Sequence, residues 1–109
     1  MDKDNFLKMI AAGRDGALLR FTLGNLYLEE GDAAQAAEHL QQAVALDEGY
    51  AAAWKQLGKA LLALGREEEA RAAWNRGIET ATAKGSVQAV KEMEVQLRRL
   101  DKQRAGGRP

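Results

Sequence analysis

The chain has 109 residues, with 16 lysines and arginines set against 16 aspartates and glutamates, for a formal charge of zero. That length is one small domain, which should bury about 65% of its unfolded surface and needs no disulfide or metal to hold a core. Cysteine is absent and His39 is the single histidine, which excludes disulfide frameworks, thiolate metal sites, cysteine nucleophiles and any site built on two imidazoles.

Hydrophobic residues are 46% and proline occurs once, a balance that argues against disorder. No apolar run approaches the ~18 residues of a membrane span, and Met1-Asp2-Lys3-Asp4 does not begin a signal peptide. A cytoplasmic protein without membrane contact is therefore expected. The zero charge is unevenly spread. Residues 17–50 carry one basic and six acidic groups, net −5, while residues 51–84 and 85–109 carry net +2 and +3.

Along the chain, residues 4–12 read as a short helix carrying Phe6 and Ile10. A helix from Leu18 to Glu30 stops at Gly31, and Asp32 follows as an N-cap with Gln35 three residues on. The next helix runs to about Leu46. A second pair repeats the design, from Ala52 to Leu64, then Gly65, then Glu67 to about Lys84. Glu67, Glu68 and Glu69 place negative charge in a first helical turn, where the dipole favours it. Gly85-Ser86 reads as a stop and an N-cap. The last helix, Val87 to about Gln103, carries a stripe of Val87, Val90, Met93, Leu97 and Leu100. Arg104 to Pro109 reads as a flexible tail.

These segments are related by an internal offset of 34 residues. It aligns Leu23-Gly24 with Leu57-Gly58, Gly31 with Gly65, Ala36 with Ala70, Leu40 with Trp74 and Val44 with Ile78. Arg20 falls on Trp54 and Tyr27 on Leu61. Glycine inside a helix costs about 1 kcal/mol relative to alanine, so its recurrence at 24 and 58 calls for a compensating close approach. Ala36 and Ala70 are the expected neighbours, with Tyr27, Leu40, Trp54, Leu57 and Trp74 filling the adjoining space.

On these residues the chain resembles the tetratricopeptide repeat family, whose 34-residue helix–turn–helix pattern has W, L-G, Y, then A, F/L, A and P. Residues 17–50 match through Leu23, Gly24, Tyr27, Ala36, Leu40 and Ala43, and residues 51–84 through Trp54, Leu57, Gly58, Ala70 and Trp74. Arg20, Leu61 and Gly77 depart from the pattern, and Glu48 and Thr82 stand where proline would. Counting back one period, Phe6 aligns with Leu40 and Ile10 with Val44. Residues 1–16 then form an N-terminal half-repeat helix and turn, whose loss through residue 13 should lower stability markedly. Residues 85–103 lack the Leu-Gly pair and read as a capping helix. The expected fold is an all-α, right-handed α-α superhelix, one domain over 1–103 with a tail over 104–109, similar to short proteobacterial double-repeat proteins.

The resemblance implies a concave groove lined by the first helix of each unit and suited to a peptide or partner helix. Its positions fall on Leu18, Phe21, Thr22, Asn25, Leu28 and Glu29, then on Ala52, Lys55, Gln56, Lys59, Leu62 and Ala63. Lys55 and Lys59 lie four apart on one helix face and suit an acidic or amphipathic segment. The carboxylate-clamp subset of the family is matched only at Asn25; Gln56 replaces an asparagine and Phe21 stands where a lysine belongs. Phe21 is either a groove anchor or a packing residue on Leu7 or Ile10. Trp54 and Trp74 are expected in the core, and Tyr50 between the units.

His39 is expected on the solvent face, and no nucleophile motif, phosphate loop or metal spacing occurs. A non-catalytic protein-binding module without cofactor, metal or small-molecule substrate is the reading, as a monomer or weak homodimer. The alternatives are a self-associating scaffold and, more weakly, a nucleic-acid binder using Arg98, Arg99, Lys102, Arg104 and Arg108.

Overall fold

The structure, a computed structural model, describes residues 2–106. Six helices follow one another without a strand among the described residues: α1 Lys3–Ala11, α2 Ala17–Glu29, α3 Ala33–Leu46, α4 Ala51–Ala63, α5 Glu67–Ala83 and α6 Val87–Gly106. The α2–α3 and α4–α5 pairs are antiparallel hairpins, α3 packs on α4, and α6 packs on α5. The result is an elongated all-α superhelix of 52 × 32 × 20 Å.

Local chemistry sets the helix ends. Gly31 and Gly65 adopt left-handed φ of +81° and +76°, which lets α2 and α4 stop and the chain reverse. Asp32 then caps α3, its carboxylate accepting from the Gln35 amide at 3.1 Å. The equivalent position before α5 is Arg66, which supplies no side-chain cap and instead pairs with Glu69. There the acidic first turn of Glu67, Glu68 and Glu69 offsets the positive end of the helix.

The core runs through α3, α4, α5 and α6, with Leu40, Val44, Leu57, Trp74, Met93 and Leu100 buried around Ala36, Ala53, Ala60 and Ala70. Close approach at the repeated glycines is present, but the neighbour differs from the expected alanine. A Cβ on Gly24 would overlap the Leu40 side chain, and one on Gly58 would overlap the Trp74 indole. The long side chain one turn beyond Ala36 or Ala70 enters the notch left by the missing Cβ. Gly77 does the same for Met93 and Trp54, so this departure from the repeat pattern admits α6. Trp74 is buried as expected, whereas Trp54 is half-buried, with the Arg76 guanidinium 5.2 Å from its ring centroid.

The two ends differ from expectation in opposite directions. Helix α1 forms, with Phe6, Leu7 and Ile10 half-buried but no side chain fully buried, so deleting it should cost less than a half-repeat suggested. Helix α6 is stronger, continuing past Gln103 to Gly106. Arg104, expected in a free tail, pairs with Glu67 and Glu68, and Asp101 pairs with Arg71 at 2.9 Å. The charges that favour the start of α5 thus also hold the end of α6. Val87 departs from its stripe and stands 63% exposed, and Arg108 lies outside the described residues.

Candidate functional site

Between α4 and α6 lies a cavity of about 540 Å3, lined by Lys55, Gln56, Lys59, Trp74, Glu92, Val95, Gln96 and Arg99. Three of the sequence-derived groove residues, Lys55, Gln56 and Lys59, come together here on α4. The α6 contribution was missed, because that helix read only as a cap. Its signal was present in the spacing. Glu92, Val95, Gln96 and Arg99 recur at i, i+3, i+4 and i+7, while Met93, Leu97 and Leu100 form a separate inward stripe. One helix closes the core with one face and lines the cavity with another.

The electrostatics of the cavity follow from one ion pair. The Lys55 ammonium reaches the Glu92 carboxylate at 3.1 Å, joining α4 to α6, with both side chains partly exposed. Among the described residues, Lys59 and Arg99 form no ion pair and remain open to solvent. The Trp74 indole N–H donates to the Lys55 carbonyl at 3.0 Å, so the wall of the cavity is anchored to the core. Gln56 donates to Asn25 Oδ1 at 2.8 Å and carries the polar strip from α4 to α2.

The other expected groove residues are placed unevenly. Leu18 is 68% exposed, and Glu29 also faces water. Thr22 turns its hydroxyl back onto the Leu18 carbonyl at 2.8 Å. Leu28 and Leu62 are half-buried and pack on the core. Phe21 meets Tyr50, with ring centroids 4.9 Å apart, and both rest on the core. Burial, then the Asp47 carboxylate, raises the Tyr50 hydroxyl above its usual 10.0.

His39 does not face solvent; it is 7% exposed and stacked on Tyr27, with ring centroids 5.4 Å apart. Its Nδ1 lies 3.1 Å from Arg20 Nη1. Arginine has only donors, so Nδ1 must accept and the ring is neutral in this arrangement. Arg20 is in turn held in a two-pronged grip by Asp15, with both hydrogen bonds at 2.8 Å. Burial, then the Arg20 charge, pushes His39 below its usual 6.5, and the Arg20 hydrogen bond lowers Asp15. Helical arithmetic could have found this, since residue 39 lies three after Ala36 and four before Ala43, both core positions. Among the described residues no group of three or more metal-ligating side chains gathers, and no helix is long and apolar enough to cross a membrane.

Comparison with known proteins gives a consistent result. The family model described as tetratricopeptide repeat matches residues 27–93. The TPR repeat-containing protein PA0015 of Pseudomonas aeruginosa is 56% identical over 97 residues, covering 89% of this chain and 92% of that one. The solution structure of protein BPP2914 from Bordetella parapertussis superposes with a TM-score of 0.84 at 41% identity, over 98% of this chain and 93% of that one. The first TPR of Spaghetti (RPAP3), bound to the HSP90 peptide SRMEEVD, gives a TM-score of 0.74 at 25% identity, over 91% of this chain and 77% of that one.

Proposed function

Since the chain belongs to the tetratricopeptide repeat family, we propose that it is a non-catalytic protein-interaction module whose groove takes an acidic, extended peptide segment. The observation that carries this reading is the pair of open cations, Lys59 and Arg99, facing one cavity beside the amides of Gln56 and Gln96. Amides both donate and accept, and so can satisfy a peptide backbone, while the cations select carboxylates. The Spaghetti complex supports the reading, because that related domain holds a peptide with acidic residues. A soluble protein partner in the cytoplasm fits this chemistry; no cofactor or small-molecule substrate enters it.

The test is fluorescence anisotropy with labelled SRMEEVD as probe, on the intact chain. Replacing Lys59 and Arg99 together by glutamate should weaken capture at least ~10-fold, by two lost charge-assisted contacts and added repulsion. The circular-dichroism melt should stay cooperative. Equal capture by both proteins sinks the groove reading. A nucleic-acid role through the basic C-terminal end is less well supported, because Arg104 is already paired with Glu67 and Glu68. Head-to-tail self-association draws on the net −5 of residues 17–50 against the basic remainder, and sedimentation at low and high salt separates it from the monomer.

A further inference from the structure

The lining of the α4–α6 cavity holds a single carboxylate, that of Glu92, and it occupies the Lys55 ammonium. We propose that Glu92 is a built-in competitor for the acidic ligand: it holds the Lys55 position in the empty groove, and a ligand carboxylate must displace it. The inference rests on the groove reading above and adds its regulation.

The geometry gives the competition a definite place. Lys55 and Lys59 are one helical turn apart, about 6 Å along α4. Alternate residues of an extended peptide are separated by about 6.6–7 Å and point to the same side. A ligand with a carboxylate at Lys59 therefore carries its next same-side group to Lys55, where Glu92 already sits. Lys59 and Arg99 give the first carboxylate an unobstructed hold, so Glu92 opposes only the second contact. Displacement is within reach, because Lys55 and Glu92 are 32% and 43% exposed and the freed carboxylate returns to water. Pairs of that kind are weak and easily exchanged.

The experiment measures SRMEEVD binding by anisotropy at low salt for the wild type, Glu92→Gln, Lys55→Gln and the double variant. Glu92→Gln should bind about two- to five-fold more tightly, the range expected for releasing an exposed ion pair. In the Lys55→Gln background the same change should give no gain, because there is nothing left to compete for. Glu94→Gln removes the same charge from α6 beside a separate cavity at the α5–α6 turn, and should leave binding unchanged. A peptide with an amidated C-terminus identifies the displacing group: a retained gain assigns a side-chain carboxylate, and a lost gain assigns the terminal one.

Two results overturn the proposal while leaving the groove reading intact. One is binding to Glu92→Gln no tighter than to wild type. The other is an equal gain in the Lys55→Gln background or from Glu94→Gln, which would make the effect one of general charge. Failure of every variant to bind SRMEEVD removes the acidic-groove reading and this inference with it.

Discussion

At positions 34 residues apart, the α2–α3 hairpin carries Arg20, Tyr27, His39 and Leu40 where α4–α5 carries Trp54, Leu61, Ala73 and Trp74. The backbone requirements are the same in both hairpins: Gly24 and Gly58 leave the notch, and Ala36 and Ala70 let the helices approach. The filling differs. In α4–α5 the space is taken by two indoles, each with its N–H satisfied by a main-chain carbonyl. In α2–α3 Leu40 fills the notch, and the place of the second indole, Trp54, is taken by a polar chain, Asp15 to Arg20 to His39, stacked on Tyr27. A repeat therefore fixes where backbones must come close more tightly than what fills the remainder. A polar filling is tolerated provided each buried group finds a partner.

The contrast predicts unequal damage. Trp74→Ala should cost about 3–5 kcal/mol, with an opened cavity and a lost indole hydrogen bond, and Leu40→Ala should fall toward the lower part of the range for leucine, about 2–5 kcal/mol. Urea denaturation checks the order, and equal losses would show that the leucine supports its hairpin as strongly as the indole does. Next in size, Gly58→Ala should lower stability by about 1–2 kcal/mol. There the added methyl meets a rigid indole, and the overlap exceeds the gain in helix propensity. Gly24→Ala should cost less, because a shift of Leu40 breaks no hydrogen bond, whereas a shift of Trp74 also gives up its bond to the Lys55 carbonyl. A reversed order would remove the argument that the indole hydrogen bond adds to the cost at Gly58.

A smaller effect distinguishes the hairpins by pH. His39 titrates lower in the folded chain than its usual 6.5, so below that value the unfolded chain takes up the proton first. Its contribution is present above pH 6.5 and is lost as pH falls toward the depressed folded value. Arg20 prevents an easy escape, since a protonated Nδ1 would face a permanent cation. His39→Gln keeps an acceptor for Arg20 and should flatten this part of the stability profile; an unchanged profile would place the titration elsewhere. Asp15 adds a separate loss at more acid pH, below its usual 3.8, because its own pKa is lowered. The smallest effect belongs to Lys3, which pairs with Glu30 and lies 4.4 Å from the Tyr27 ring centroid. Lys3→Ala should speed amide exchange in α1 while leaving α3 unchanged; slowed or equal exchange in α1 would detach that helix from the polar chain.

Much of the architecture was legible because backbone proximity leaves a strong mark in sequence. Leu-Gly at 23–24 and 57–58, the stops at Gly31 and Gly65, and Asp32 before α3 each have one physical reading. Side-chain partnerships across elements leave a weaker mark. Arg20 was visible as a departure from tryptophan, but Asp15 sits in the preceding turn and His39 on the next helix, so no local spacing linked them. The cavity was half legible for the same reason. Lys55, Gln56 and Lys59 lie on a repeat-defined helix, whereas Glu92, Gln96 and Arg99 lie on a helix outside the 34-residue register. The end of α6 was read as tail because its partners, Glu67 and Glu68, lie more than thirty positions earlier.

The two indoles also give the molecule a pair of internal spectroscopic reporters that line two different cavities. Trp74 is 1% exposed and forms part of the cavity wall, so its emission should be blue and shielded from acrylamide. Trp54 is partly open to water beside Arg76, on a shallow cavity shared with Gln41 and Glu69, and should emit further to the red and quench readily. Because one fluorophore borders the α4–α6 cavity and the other does not, occupancy of that cavity can be followed without a label. The unaffected tryptophan serves as the reference within the same chain.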